Sequence, residues 1–283
     1  MMDGVLADVI EHLACPVCRG DLVLGGGAAR CAQGHAFDVA RQGYLSLLTG
    51  SGVPGTADTP AMVAARDAFL GAGHFAPLSG RLRELVAGIG DTGGAKVVLD
   101  AGAGTGHYLA AVLGPGDTGI ALDISKHALR RAARAHPRVG AVVTDVWRPL
   151  PVKDGRVDVL LDVFAPRNGP EFARVLRPGG TLIVVTPTPA HLAPLVGALG
   201  LLSVDESKGR RVEEALGGHF AGTGHLIEEA EMRLDHRAVE AVAGMGPSAW
   251  HTDPAALRKE ISHLADPMAV KMSCRISLFR KIT

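Results

Sequence analysis

The chain has 283 residues, of which 47% are hydrophobic and 20% are charged, and its 29 basic residues balance its 29 acidic ones. This composition excludes wholesale disorder, and zero net charge excludes a basic coat that binds nucleic acid unselectively, although a local basic face is still allowed. We find no apolar run of about 18 residues to span a membrane and no secretion leader, so we expect a cytoplasmic protein. Four cysteines are too few for a disulfide scaffold.

Residues 1–38 hold three of the four cysteines and little apolar bulk, and a segment of about forty residues needs a staple to fold. The cysteines Cys15 and Cys18 form one pair, and Cys31 and His35 form a second pair after a spacer of twelve residues. Such pairs across a hairpin-sized spacer are typical of tetrahedral zinc, with Gly25–Gly27 at the hairpin tip. Four protein ligands leave no open position, which indicates a structural ion. Redox-active or unrelated buried cysteines are the alternative.

The next segment, residues 39–60, is rich in glycine, proline, serine and threonine, which is typical of a connector. Residues 61–90 place apolar side chains such as Phe69, Leu78 and Leu82 at helical spacing. We therefore divide the chain into a small domain over 1–38, a linker and helical connector over 39–90, and a larger domain over 91–283.

The larger domain alternates strands with helices. The predicted strands are Val97–Ala101, Gly119–Ile124, Ala141–Thr144, Val157–Val163 and Thr181–Thr186, and the predicted helices are Lys126–His136, capped by Ser125, and Pro170–Leu176. Near-continuously apolar strands in this order predict an α/β fold, a doubly wound, Rossmann-like parallel sheet covered on both faces. Near the end, apolar and polar residues alternate over 270–278, which predicts a half-exposed antiparallel strand at the edge of the sheet. There Cys274 is interpreted as a small core residue.

A glycine-rich turn joins the first strand to its helix through Gly102, Gly104 and Gly106. The dinucleotide pattern G-x-G-x-x-G/A does not fit, because its third glycine position is His107 in one frame and Leu109 in the other. No Lys-Ser/Thr follows, which excludes a phosphate-binding P-loop.

Acidic residues end the next two strands. Asp123 ends the second strand, where a carboxylate accepts hydrogen bonds from both hydroxyls of a ribose. Asp145 ends the third strand and precedes Val146, where an adenine can be bound. Glycines without a phosphate clamp, combined with two such acids, favour S-adenosylmethionine over NAD. The alternative is an ordinary strand–helix turn with solvated acids.

The fourth strand ends at Asp162 and continues into Phe164–Asn168, on the side of the sheet where α/β proteins bind ligands. In this turn, which contains Pro166, we expect Phe164 to stack on a flat base and Arg167 or Asn168 to donate hydrogen bonds to it. A plain proline-containing strand exit is the alternative. Asp162 is one candidate proton acceptor, but it is equally a cofactor-side carboxylate or a solvated acid, so the catalytic residue is left unassigned.

Taken together, the motifs resemble the RlmA-type 23S rRNA (guanine-N1)-methyltransferases, and within them the tylosin-resistance branch of Gram-positive bacteria. The resemblance is carried by CPVC and CAQGHAFDVARQGY near the start, ARDAFLGAGHF at 65–75, LDAGAGTG at 99–106, VFAPRN at 163–168, LRPGG at 176–180 and GMGPSAWH at 244–251.

This resemblance implies a class I S-adenosylmethionine-dependent methyltransferase domain behind a zinc ribbon. It implies methyl transfer to N1 of one guanine in a hairpin of 23S rRNA, at position 748 rather than 745 for this branch, with a possible link to macrolide resistance. It also implies that the zinc-binding knuckle helps to hold RNA and that two subunits form a homodimer with a cleft. The family's zinc ligands fall on the four residues named above, and its cofactor contacts fall on Phe75, Gly104, Thr105 and His191.

Clusters of basic residues are candidates for RNA contacts, and solvated helix faces are the alternative interpretation. They are Arg130, Arg131, Arg134 and Arg138; Lys208, Arg210 and Arg211; and Arg41, Arg66, Arg81 and Arg83. Two other functions are considered. A small-molecule methyltransferase would not need the zinc knuckle, and the intact glycine motif argues against a non-catalytic RNA-binding module.

Overall fold

A computed structural model describes residues 3–50, 57–90, 94–202, 212, 214–246, 249 and 253–282. Its helices are α1 (Asp3–Ile10), α2 (Pro60–Gly71), α3 (Ala76–Gly88), α4 (His107–Val112), α5 (Lys126–Ala135), α6 (Gly169–Val175), α7 (Leu195–Leu199), α8 (His236–Gly244) and α9 (Pro254–Ile261). Its strands are β1 (Leu22–Gly25), β2 (Ala28–Cys31), β3 (Ala36–Asp38), β4 (Tyr44–Ser46), β5 (Val97–Ala101), β6 (Thr118–Asp123), β7 (Val139–Val143), β8 (Val157–Val163), β9 (Leu176–Pro187), β10 (Phe220–Leu234) and β11 (Met268–Lys281). The basic cluster of Lys208, Arg210 and Arg211 lies outside the described residues.

The main sheet contains eight strands among the described residues, in the order β10-β11-β9-β8-β5-β6-β7-β4. Strands β4 to β9 pair in parallel, and β11 pairs antiparallel with both β9 and β10. This arrangement confirms the doubly wound α/β fold. It corrects the position of β11, which is antiparallel as predicted but lies one strand in from the edge. The edge strand is β10, whose run of glycines and glutamates carries little strand signal.

Both faces of the sheet are covered. One face packs against α2 to α5, α8 and α9, and the inward side chains of β11, including Cys274, belong to this core. The other face packs against α1, α6 and the small sheet near the N-terminus. Helix α1 approaches β7 closely because Gly140 has no side chain: a Cβ atom there would clash with the methyl groups of Val9.

The small sheet, β1-β2-β3, forms the zinc ribbon, and its hairpin turns at Gly26 and Gly27, both with positive φ. The ribbon has no separate core, because its buried Leu22 and Ala29 share one cluster with Val142 of the main sheet. Hydrogen bonds also connect the ribbon to the larger domain. The amide of Ala14 donates to Pro151 O at 3.0 Å, and Nη1 of Arg19 donates to Leu150 O at 2.7 Å.

The connector predicted over 39–90 contains regular structure. Within it, Tyr44–Ser46 pairs with β7 at one end of the main sheet, and Leu45 is fully buried. A strand of three residues is too short to show a sequence period, which is why its position was not predicted. Helices α2 and α3 agree with the helical spacing over 61–90. None of the helices among the described residues is both long and apolar enough to cross a bilayer.

Candidate active site and metal centre

The four predicted metal ligands lie together at the base of the ribbon. The sulfur atoms of Cys15, Cys18 and Cys31 and the Nδ1 atom of His35 all lie within 4.8 Å of one another. Sγ of Cys18 and Sγ of Cys31 are 3.6 Å apart, and Sγ of Cys31 and Nδ1 of His35 are 3.3 Å apart. Four bonds of about 2.0–2.3 Å in tetrahedral geometry give spacings close to these. The donor set therefore fits a zinc ion held by three sulfurs and one nitrogen.

The glycine turn follows β5 and is held against β6. Gly102, Gly104 and Gly106 all have positive φ, which explains why glycine stands at each position. The amides of Gly102 and Ala103 donate to Leu122 O at 2.8 and 2.9 Å. The buried Thr105 lies in the same turn, and Gly106 is the N-cap of α4. The turn thus presents its backbone at the carboxyl ends of β5 and β6.

Asp123 fixes this turn from the end of β6. One carboxylate oxygen accepts the Gly104 amide and the other accepts the Ser125 amide, each at 2.8 Å. Burial raises the pKa of Asp123, while these two hydrogen bonds act to lower it. Each carboxylate oxygen has two lone pairs, so both can accept a further hydroxyl group.

Asp100, near the end of β5, is a candidate site residue that was not predicted from the sequence, although it is the second residue of the segment LDAGAGTG at 99–106. The side chain is 1% exposed, and its Oδ1 has no hydrogen-bond partner among the described residues. Burial, reinforced by the nearby charge of Asp123, raises its pKa to about 8. An orphaned buried acceptor at this edge of the sheet is what a bound polar or cationic ligand would satisfy.

From the raised pKa of Asp100 we predict how the stability of the ligand-free protein depends on pH. Its folded-state pKa of about 8 lies above its ordinary value of 3.8. Between these values the unfolded chain has released the proton and the folded chain retains it. The free energy of unfolding therefore falls as pH rises through this window, by up to ~1.4 kcal/mol per pH unit. We expect the stability gain of Asp100→Asn over the wild type to be larger at pH 8 than at pH 5 in urea unfolding. Parallel pH curves for the two proteins would contradict this.

The second strand-end acid, Asp145, is partly engaged by its own loop. Its Oδ1 accepts the Trp147 amide at 3.0 Å, and its Oδ2 lies 3.6 Å from Nε of Arg148. Val146 is 6% exposed, with its side chain packed in the core on the ribbon side. Asn168, which is predicted to bind substrate, donates a hydrogen bond from Nδ2 to Val146 O at 2.9 Å. In this structure Asn168 therefore ties the loop after β8 to the loop after β7.

Aromatic side chains gather over the carboxyl ends of β8 and β9. The ring of His191, in the loop after β9, lies 5.7 Å from the ring of Phe75 and 6.1 Å from that of Phe164. Its Nδ1 accepts the Ser273 amide at 3.2 Å. Tyr108 packs on the other side of Phe164, with the ring centres 6.4 Å apart. The structure thus brings together Phe75, His191 and Phe164, which come from three separate parts of the chain.

The turn after β8 is strained and lies directly over the glycine turn. Phe164 has a φ of +56°, which is rare for a bulky residue, and its amide is held by Val185 O at 3.1 Å. Such conformations cost about 1–3 kcal/mol and cluster at functional sites. The Phe164 ring is 41% exposed, and Pro166 is also exposed. This turn therefore offers an aromatic face to an incoming molecule.

Asp162 is completely buried below this turn, 3.4 Å from Nε of Arg167. Burial raises its pKa well above the ordinary value, and Arg167 only partly opposes that effect. Because neither carboxylate oxygen reaches the surface, Asp162 cannot touch a base in this conformation. Arg167 is turned inward towards the same carboxylate.

Several of the candidate RNA-binding arginines have partners within the chain. Arg66 pairs with Asp58, Arg131 pairs with Asp67, and Arg81 pairs with Glu84 and Glu228. Arg138 donates to Gly114 O and Asp117 O. These contacts give the four residues a structural role. The residues Arg41, Arg83, Arg130 and Arg134 are exposed.

Comparison with known proteins gives two family matches. Residues 13–49 match the zinc ribbon described as RlmA, N-terminal, and residues 98–180 match a methyltransferase domain. A protein of Micromonospora griseorubida, named "Putative 23S rRNA (guanine-N(1)-)-methyltransferase", is 49% identical over 97% of this chain and 99% of its own length. A protein of Streptomyces fradiae, named 23S rRNA (guanine(748)-N(1))-methyltransferase, is 47% identical over 97% of this chain and 99% of its own length.

Proposed function

Because this chain belongs to the RlmA-type family of 23S rRNA (guanine-N1)-methyltransferases, we propose that it methylates N1 of guanine 748 in a hairpin of 23S rRNA. The observation that carries the choice of guanine is the 47% identity with the Streptomyces fradiae relative, whose name specifies position 748. On the same basis we propose a role in resistance to tylosin-type macrolides, the property of the branch that the sequence resembles.

S-adenosylmethionine supplies the reactive methyl group, carried on its positively charged sulfur. In this proposal Asp123 would accept hydrogen bonds from the ribose hydroxyls through its remaining lone pairs, and the backbone of Gly102–Gly106 would help to hold the cofactor. The orphaned oxygen of Asp100 receives a polar group of the methionine part. Asp145 and the backbone of Val146 would hold the adenine, and Phe75 and His191 would contact the methionine part. The glycine turn and Asp123 are already held in place, so little ordering is needed on binding.

On the RNA side, the exposed ring of Phe164 stacks on the target guanine, with Pro166 beside it. N1 lies on the pairing edge of guanine, so the base must be unpaired or flipped out of its helix to react. As the N1–methyl bond forms, N1 loses its proton to solvent and the sulfur–methyl bond breaks, so that the used cofactor leaves as a neutral thioether; the positive sulfonium favours the anionic base. The contribution of the protein is then mainly to place N1 in line with the methyl group. Arg167 and Asn168 support this turn from inside, through Asp162 and Val146.

We further propose that the ribbon, residues 1–38, holds the RNA hairpin, that residues 91–283 form the catalytic unit, and that residues 39–90 join them. Arg41, Arg83, Arg130 and Arg134 are the exposed cations that we assign to phosphate contacts. A homodimer completes the RNA-binding cleft, as the family resemblance implies.

Primer extension tests this function, because N1-methylguanine blocks base pairing and stops reverse transcriptase. The zinc-loaded protein is incubated with S-adenosylmethionine and unmodified 23S rRNA, and stops are mapped. We expect one new stop, at guanine 748, that depends on the cofactor. A stop at a neighbouring guanine would overturn the choice of position. Methyl incorporation without a stop would indicate another atom, and no incorporation into rRNA or assembled large subunits would favour a small-molecule substrate.

A further inference from the structure

We propose that Trp147 is a stacking platform for a second, unpaired base of the RNA substrate, next to the target guanine in the bound hairpin. This inference rests on the proposed function, because stacking of an RNA base on Trp147 requires that the substrate is RNA. It concerns the loop between β7 and Leu150, which begins at the cofactor-side acid Asp145.

Trp147 is exposed to solvent, which supports a role in binding. Trp147 is 67% exposed, and among the described residues no other Phe, Tyr or Trp is more exposed; Phe164 follows at 41%. A tryptophan in this position contributes little to the core, so packing does not account for it. Large aromatic faces presented to solvent are what single-stranded bases stack on.

The loop that carries Trp147 is nevertheless held firmly. The Trp147 amide donates to Asp145, Asn168 holds Val146 O, and the side chain of Val146 is buried. On the far side, Nη1 of Arg148 donates to Thr49 O at 3.3 Å. The backbone is therefore fixed while the ring remains accessible, which reduces the entropy lost when a base stacks on the ring.

The location of the loop connects the two parts of the proposed RNA surface. It follows β7 at the carboxyl edge of the sheet, the edge that also carries Phe164, and Asn168 joins the two loops directly. A few residues further on, Leu150 O accepts Nη1 of Arg19 from the ribbon. A hairpin that touches both the ribbon and Phe164 would therefore pass close to Trp147.

The residues next to Trp147 in the chain favour nucleic acid over a protein partner. Arg148, with its side chain 60% exposed, is adjacent to Trp147 and can contact the phosphate of the stacked nucleotide. A protein–protein interface would instead need a patch of further apolar residues around the ring, because the buried centre of such an interface is more apolar than the rest of the surface. Here both sequence neighbours of Trp147 fail to extend such a patch, since Val146 is buried and Arg148 is charged.

The test compares Trp147→Leu, which keeps apolar bulk but removes the aromatic face, with Trp147→Phe, which keeps an aromatic ring. Binding of the full-length, zinc-loaded protein to an unmodified hairpin RNA is measured together with the rate of methylation. We expect Trp147→Leu to weaken the RNA Kd by about 5- to 100-fold. We expect Trp147→Phe to stay within about threefold of the wild type. RNA should also quench tryptophan fluorescence more in the wild type than in Trp147→Phe.

Ile227→Ala provides a matched control, because Ile227 is 44% exposed on the edge strand β10, outside the proposed site. It should leave the RNA Kd unchanged. The Tm and the Kd for S-adenosylmethionine should be the same in all variants.

Each of three results would overturn the proposal. Trp147→Leu could bind RNA as the wild type does. It could lose affinity for S-adenosylmethionine instead, which would make Trp147 an adenine contact. It could change the molecular mass in solution, which would make it a subunit contact. If the wild type itself neither bound nor methylated the hairpin, the proposed function would fail as well, and that result is distinguishable from the other three.

Discussion

Replacement of Cys31 by serine is expected to empty the zinc site and to abolish RNA methylation. Sγ of Cys31 lies close to two of the other three ligand atoms, Sγ of Cys18 and Nδ1 of His35. Loss of a ligand should weaken zinc binding by more than the roughly 10- to 100-fold that loss of an outer-shell partner costs. Zinc content, measured by elemental analysis after dialysis, should fall from one ion per chain to almost none.

The effect should extend beyond the ribbon. Cys15, Leu22 and Ala29 lie in the same core as strands of the main sheet, so unfolding the ribbon exposes apolar surface of the larger domain. We therefore expect a lower Tm for the whole chain and the same loss when a chelator removes the ion from the wild type. The control is Cys274→Ser, which removes the buried cysteine outside the cluster and should retain zinc. A Cys31→Ser protein with stoichiometric zinc and an unchanged Tm would refute the assignment.

The second large effect is expected for Gly102→Ala. A Cβ atom at Gly102 would lie 2.5 Å from Cβ of Ala165, and φ there is +85°. The substitution therefore combines backbone strain of about 1–3 kcal/mol with overpacking of about 1–3 kcal/mol. Relief requires the turn after β8 to move away from the glycine turn. We expect the free energy of unfolding to fall by about 2–6 kcal/mol in urea titrations, and calorimetry should detect no binding of S-adenosylmethionine.

Two other glycines separate the strain from the clash. Gly179 has a φ of +70°, but a Cβ atom there would meet nothing within 4 Å. Gly179→Ala should therefore show the cost of strain alone and leave cofactor binding intact. Gly104 is intermediate, because its nearest neighbour is the side chain of Arg66, which can move. Equal destabilisation by Gly102→Ala and Gly179→Ala would show that the turn after β8 does not pack on Gly102 as described.

The parallel part of the fold and the placement of the candidate site residues at one edge of the sheet were predictable because they depend on short-range patterns. Five apolar strands, the glycine turn and the acids that follow the strands are visible in consecutive residues, and parallel strands bring their carboxyl ends to one edge. The zinc ligands were predictable for the same reason, since their spacing is a local property.

The remaining features depend on contacts between distant segments. The strand Tyr44–Ser46 is fixed by β7, almost a hundred residues further along the chain, and not by its own three residues. The side chain of Asn168 is of a type that often binds substrates. Its hydrogen bond to Val146 O could not be predicted from the sequence, because it forms only where the two loops meet. Likewise, the sequence alone suggests that Arg66 and Arg131 are free cations, and only the fold shows that each pairs with an aspartate.

The segment from Asp145 to Lys153 touches both halves of the protein. At one end Asp145 lies at the cofactor edge of the sheet, and at the other the amides of Ala14 and Lys153 form backbone hydrogen bonds between this segment and residues 12–14. These nine residues of backbone therefore connect the two ends, and hydrogen bonds hold them to the loop after β8 as well as to residues 12–14. Thermodynamic linkage then sets a symmetrical rule for the two ligands. Under the proposed function, the factor by which RNA on the ribbon changes the affinity for S-adenosylmethionine equals the factor by which the cofactor changes the affinity for RNA.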